Sequence, residues 1–209
     1  MARRSSPSTL PAAGRRAVPD PDALQALLGA LLPENKNQAE RERAFKALLA
    51  LAARRPDLLL PRWDELTRML RRCGAFTKWP AIYLIAALLP ADRRRRFDRS
   101  FAAYFNLLDD EAVSVAAHTA RLAARVVAAR PDLEPRVTRR LLALDRTHFD
   151  PDRRDLVKSY ALEAMGTYVE STRSRRAIRR FAEGMLASSS PRAVRTARAF
   201  LKKYAGAAD

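Results

Sequence analysis

Among its 209 residues the chain has one cysteine, Cys73, two histidines and six glycines. A single thiol excludes an internal disulfide and a cysteine-rich metal cluster, and it fits a reducing compartment. His118 and His148 lie far apart, neither with a second His or Cys at ligand spacing, so they compose no zinc site. β-branched residues are scarce while Ala, Leu and Arg abound, which leaves a sheet without local support. No uncharged apolar run reaches the roughly eighteen residues a membrane span requires. The longest, Pro80 to Ala91, is too short. Gly-rich phosphate loops, nucleophile elbows and paired-carboxylate motifs are also missing. These absences predict a soluble, cytoplasmic, all-α protein with no cofactor, no metal and no catalytic residues.

Charge is what the chain has in excess. Lys and Arg number 40 against 23 Asp and Glu, a net +17. Such a field attracts nucleic acid, an anionic membrane or an acidic protein surface. Arg greatly outnumbers Lys, and codon composition alone enriches Arg together with Ala, so the placement of the charge is more informative than its total. Residues 1–19 carry Arg3, Arg4, Arg15 and Arg16, no acid and no hydrophobic segment. They read as a disordered basic arm ahead of one folded domain over 20–206.

Apolar residues at spacings of three and four, bounded by Pro, Gly, Asp and Ser, predict ten short helices. The spans are 21–32, 37–55, 60–72, 78–89, 92–108, 110–129, 134–144, 151–168, 174–187 and 191–204. Asp109, Asp150 and Ser190 stand where N-caps belong, the latter two ahead of proline at a first helical position. Gly74 and Gly206 follow helical patterns as C-terminal stops do, and Gly29, Gly166 and Gly184 suggest close packing by a neighbour.

The chain also repeats itself. Arg55-Pro56-Asp57-Leu58 recurs as Arg130-Pro131-Asp132-Leu133, each after an Ala-rich helix and each followed by Pro-Arg, at 61–62 and 135–136. The offset of 75 positions accommodates two units of about 37 residues, a usual size for stacked helical hairpins. Consecutive pairing of the helices then gives five hairpins. Val157-Lys158-Ser159-Tyr160-Ala161-Leu162-Glu163-Ala164-Met165-Gly166 resembles the second helix of HEAT repeats. Val113-Ser114 with Ala117 and Ala120, and Val194-Arg195, are weaker echoes. This resemblance to the HEAT-like, armadillo-type family covers roughly residues 20 to 205. It implies a right-handed α-solenoid of about five stacked hairpins, and it leaves the ligand open because such repeats serve many roles.

Two arginine clusters are the candidate partner-binding residues. Between Ser171 and Tyr204 stand ten basic residues against one acid, Glu183. They include Arg175, Arg176, Arg179, Arg180, Arg192, Arg195, Arg198 and Lys202. A helical wheel puts the last four on one arc, opposite Val194, Ala197, Leu201 and Tyr204. The arc reads either as a cationic binding ridge or as the polar cap of a terminal repeat. The second cluster, Arg93, Arg94, Arg95, Arg96 and Arg99, falls at a helix start, where cations oppose the macrodipole. It reads as an anion site or as a solvated run offset by Asp92 and Asp98. Behind it Phe97, Phe101, Tyr104, Phe105 and Leu108 form a core stripe, and Trp63 and Trp79 read as packing anchors.

These features predict a non-catalytic scaffold for an anionic partner, first an acidic protein segment and alternatively nucleic acid. DNA alkylation-repair glycosylases are also HEAT-like, with a basic face and an aromatic-lined site containing a carboxylate. Trp63-Asp64-Glu65 resembles part of such a site, and no catalytic residue transfers.

Overall fold

The structure is a computed structural model that describes residues 20–72 and 74–204. The expected arm over 1–19, Cys73 and the stop at Gly206 lie outside the described residues. Those described form helices and turns without a strand. The first hairpin pairs α1 (Pro21–Gly29) with α2 (Gln38–Arg54). The second comprises the single turn α3 (Pro56–Leu59), then α4 (Trp63–Met69) and α5 (Ala75–Leu88). The third is α6 (Phe97–Phe105) with α7 (Val113–Ala129), the fourth α8 (Glu134–Leu142) with α9 (Pro151–Gly166), and the fifth α10 (Arg175–Gly184) with α11 (Pro191–Lys203).

The second helices begin at Gln38, Ala75, Val113, Pro151 and Pro191, so the unit recurs every 37 to 40 residues. They stack in order, α2 on α5, α5 on α7, α7 on α9 and α9 on α11. The first helices form the opposite layer, with α4 against α6 and α8 against α10. Small side chains permit the closest of these approaches: α7 buries Ala116, Ala117, Ala120 and Ala123, and α9 buries Ala161 and Ala164. Central α5 buries apolar residues almost all round, which accounts for the apolar run there. The expected stripe of Phe97, Phe101, Tyr104, Phe105 and Leu108 is core, with Phe97 and Tyr104 edge to face at 5.4 Å.

The repeated tetrapeptide is a corner. Arg55 and Arg130 adopt nearly the same backbone, φ −138°, ψ 63° and φ −137°, ψ 74°. Each folds its guanidinium onto the aspartate two residues on, Arg55 onto Asp57 at 3.0 and 2.7 Å and Arg130 onto Asp132 at 2.8 and 2.8 Å. The intervening proline starts the next helix, where its missing N–H costs nothing. In the HEAT-like segment of α9, Val157, Ala161, Leu162, Ala164 and Met165 are buried. Lys158 reaches Asp145 at 2.8 Å and lies 5.0 Å from the Phe181 ring centre.

Several boundaries differ from the sequence expectation for local reasons. Helix α5 starts three residues early, behind Gly74 at φ 93°, and carries Pro80 in its interior. Helix α6 starts at Phe97 because Asp92 accepts the Phe97 N–H at 3.0 Å and Arg95, at φ 52°, turns the chain. The arginine run therefore precedes the helix rather than opening it. Before α7 it is Asp110 that accepts from Ala112 N at 3.1 Å, while Asp109 accepts from His148 N at 2.9 Å and is no cap. Asp150 and Ser190 do cap, accepting from Arg153 N at 3.0 Å and Ala193 N at 3.5 Å. A Cβ added at Gly29 or Gly184 would meet nothing within 4 Å, so close packing does not explain them; at Gly166 it would meet Phe200 at 3.7 Å.

Candidate functional site

The first-helix layer carries an arginine face. Exposed Arg99 comes from α6, Arg136 and Arg139 from α8, and Arg179 and Arg180 from α10. The Arg136 guanidinium sits 4.0 Å over the centre of the buried Phe101 ring, and half-buried Arg140 donates to Asn106, which joins α8 to the end of α6. Thus the cluster ahead of α6 and the cluster on α10 are linked through α8. The sequence expectation missed Arg136, Arg139 and Arg140. Their signal was available: with Val137, Thr138 and Leu141 buried, every arginine of α8 falls on its other side.

Individual arginines divide by what they touch. Arg95 donates to Asp98 at 2.9 Å and to Asp132 at 2.8 Å, and Arg96 approaches Asp92 at 3.3 Å. Arg175 donates to the Val169 and Glu170 carbonyls at 3.3 and 2.8 Å, closing the turn before α10. Arg179 pairs with Glu183 at 3.0 Å. Arg192 is half-buried, 3.2 Å from Glu163 and 4.4 Å over the Tyr160 ring, so it belongs to the α9–α11 joint rather than to a ridge. The buried arc of α11 is Ala193, Ala197 and Phe200, rotated from the arc expected on the wheel. Arg195, Arg198 and Lys202 are exposed on it. Of the expected cluster residues, Arg93, Arg94, Arg99, Arg180, Arg195, Arg198 and Lys202 enter no side-chain hydrogen bond or ion pair among the described residues, and exposed Arg139 of α8 is equally free to meet a partner.

Titration follows the same geometry. The bidentate bond from Arg130 holds the Asp132 carboxyl below the usual range, and the Arg130 guanidinium is correspondingly pushed up by that bond. Burial raises the Tyr168 hydroxyl to about 12, although Thr138 hydrogen-bonds it at 3.0 Å.

The second-helix layer carries a groove of about 460 Å³ across α2, α5 and α7. The rings of Phe45, Trp79 and His118 line it, and Tyr83 packs against all three. Phe45 stands 4.6 Å from Trp79 and 5.9 Å from Tyr83; Trp79 stands 5.7 Å from His118. Tyr83 and His118 share a hydrogen bond of 2.9 Å between hydroxyl and Nδ1. On the rim, Phe76 is 68% exposed under the Arg41 guanidinium, 4.8 Å from its ring centre. Glu42 and Lys46 pair beside it at 2.6 Å. Burial and then nearby Arg121 lower the His118 pKa. Trp79 Nε1 is enclosed yet has no hydrogen-bond partner among the described residues.

The two tryptophans therefore differ. Trp63 is a packing anchor, 2% exposed and donating to Ser100 Oγ at 2.9 Å. Its ring offers no face to a ligand, and Trp63-Asp64-Glu65 does not open into an aromatic site. Trp79, expected to be an anchor as well, is half-buried and lines the groove. His118 lies on the groove wall rather than within a packed stripe, and His148 is tied to Asp109 at 2.7 Å.

No family model matches the chain, and no curated protein matches it. Among solved structures it is similar to a designed armadillo repeat protein in complex with the peptide (KR)4, at 15% identity and a TM-score of 0.56, covering 88% of this chain and 82% of that one. A second designed armadillo repeat protein aligns at 14% identity over 86% of this chain and 98% of its own, with a TM-score of 0.43. The first likeness shows the fold: an all-α solenoid of the armadillo and HEAT type.

Proposed function

We propose that the protein is a non-catalytic binding scaffold for an anionic partner, an acidic protein segment in the first instance. The observation that carries the reading is the arginine face running over α6, α8 and α10. Guanidinium forks match carboxylates two bonds at a time, and several held on one rigid face recognise acidic side chains without reorganising the backbone. The designed protein of similar fold holds a peptide of Lys and Arg; here the cations belong to the scaffold, so the complementary charge belongs to the partner. Nucleic acid is the other anion of this kind. It is less favoured because the aromatic side chains beneath this face, Phe97, Phe101 and Phe105, are buried and offer no stacking platform.

Reversing Arg99, Arg139 and Arg180 to Glu tests the reading, since all three are exposed. Helicity by circular dichroism should persist while affinity for a poly-glutamate probe falls by more than about tenfold, which is roughly 1.4 kcal/mol. Unchanged affinity eliminates this face. Tighter, more steeply salt-dependent binding of duplex DNA than of poly-glutamate points to phosphate contacts instead.

A further inference from the structure

The groove across α2, α5 and α7 is not part of the arginine face. It lies on the other helical layer, and nothing in the fold requires it. Exposed Phe76 could pack inward or be polar at no cost to the stack, yet it stands on the rim with Arg41 over its ring. Beneath it Trp79 presents an enclosed indole N–H without an acceptor among the described residues. Pro80, inside α5, has no N–H to give the Phe76 carbonyl four residues earlier. The groove wall thus carries, at Phe76, a main-chain acceptor left without its usual helical donor. A peptide N–H supplies the complement of that carbonyl, whereas a hydrocarbon surface does not.

Volume and charge narrow the occupant. About 460 Å³ accommodates one large side chain with its flanking peptide units, and it is small for a helix or a domain edge. At the rim Glu42 is neutralised by Lys46 at 2.6 Å, which leaves Arg41 as the uncompensated charge of the lining. Burial and then Arg121 shift His118 toward its neutral form. The lining of Phe45, Trp79 and Pro80 is apolar, and the free rim charge is cationic.

We propose that this groove is a second docking site, which takes one large apolar side chain of an extended peptide whose neighbouring residues carry a carboxylate for Arg41. The apolar side chain displaces water from the apolar lining, and a main-chain N–H of the segment pairs with the Phe76 carbonyl. This site stands independently of the arginine face, and either can exist without the other.

Trp79 makes the site directly readable, since Trp63 is enclosed and already bonded to Ser100. The probes are short Glu/Ser peptides with one central Leu, titrated against the full chain while tryptophan emission is followed. The Leu peptide should bind about ten times more tightly than its Ala counterpart, in line with burial of one large aliphatic side chain. Its binding should weaken similarly when Gln replaces the glutamates. Phe76→Ala, at an exposed position that leaves the core intact, should reduce the affinity, and Trp79→Phe should remove the emission change while circular dichroism stays helical. Equal binding of the Leu and Ala peptides, or an unaltered affinity in Phe76→Ala, overturns the proposal. So does preferential binding of oligothymidylate, which makes a base the occupant. Concentration-dependent self-association that Phe76→Ala abolishes overturns it as well, because the occupant is then a second copy of the chain. Changes on α6, α8 and α10 should leave Leu-peptide binding in place, which separates failure of this site from failure of the arginine face.

Discussion

Arg95 and Arg130, 35 positions apart in sequence, grip the same two carboxylates. Arg95 donates to Asp98 and Asp132 at 2.9 and 2.8 Å, and Arg130 donates to Asp98 at 2.7 Å as well as to Asp132. The four charges rivet the turn before α6 to the corner before α8. One arginine of the cluster ahead of α6, Arg95, is thereby committed to holding neighbouring hairpins in register.

The two arginines should not contribute equally. Arg130 is 11% exposed at its side chain and Arg95 is 62% exposed. Arg130→Ala leaves Asp98 and Asp132 with only the exposed Arg95 between them and should cost about 1–3 kcal/mol in urea denaturation. Arg95→Ala should cost less than about 1 kcal/mol, as exposed pairs do. Equal losses in the two variants would show that burial does not set the strength of this network.

Lys158 gives a different test. It is a buried lysine of the HEAT-like segment, and its partner Asp145 is 61% exposed at the side chain. Lys158→Met keeps the stem against Phe181, removes a desolvated charge and releases a carboxylate that water can solvate. Stability should change by less than about 1 kcal/mol, because replacing a buried ion with apolar volume is often neutral. A loss of several kcal/mol would mean that the ion pair itself holds α9 in place.

The glycines should separate by backbone conformation. Gly74 sits at φ 93°, where a Cβ is strained whatever the space, and Gly74→Ala should destabilise by roughly 1–2 kcal/mol. Gly29 and Gly184 end helices with open space around them, and alanine at either should stabilise by about 0.4–1 kcal/mol through the unfolded state. Thermal midpoints of the three variants check the sign of each.

His118 should make the fold sensitive to mild acid. Its pKa is lowered by burial and by Arg121, so the unfolded chain binds its proton first as pH falls. The stability contributed by neutral His118 is complete above its unfolded pKa, about 6.5, and is lost as pH drops below that value toward the folded pKa. His118→Gln should show a shallower decline in urea midpoint between about pH 7 and 5 than the parent. Parallel declines would show that other groups carry the dependence.

Much of this architecture could be read before any coordinates, because helical periodicity and the repeated corner are local signals. Arg55-Pro56-Asp57-Leu58 and its copy predicted the repeat length, and the structure shows why: each is a joint whose arginine and aspartate lock across one proline. What could not be read is which charges meet across repeats. Arg192 shares a wheel arc with Arg195 and Arg198, yet Tyr160 and Glu163 of another helix claim it. Likewise Phe45, Trp79, Tyr83 and His118 come from three helices, and their convergence depends on how those helices stack, which no spacing within one segment encodes. The groove was invisible for that reason, while the core stripe of α6, confined to one helix, was legible.

Because each hairpin leans on the one before and the one after, this molecule has a middle and two ends more than an inside and an outside. Helix α7, clamped between α5 and α9, occupies that middle, and its amides should be the last to exchange with deuterium. Unravelling would then begin at α1 or α11 and travel inward like an opening zip, with the ordered stack losing a single rung at each step.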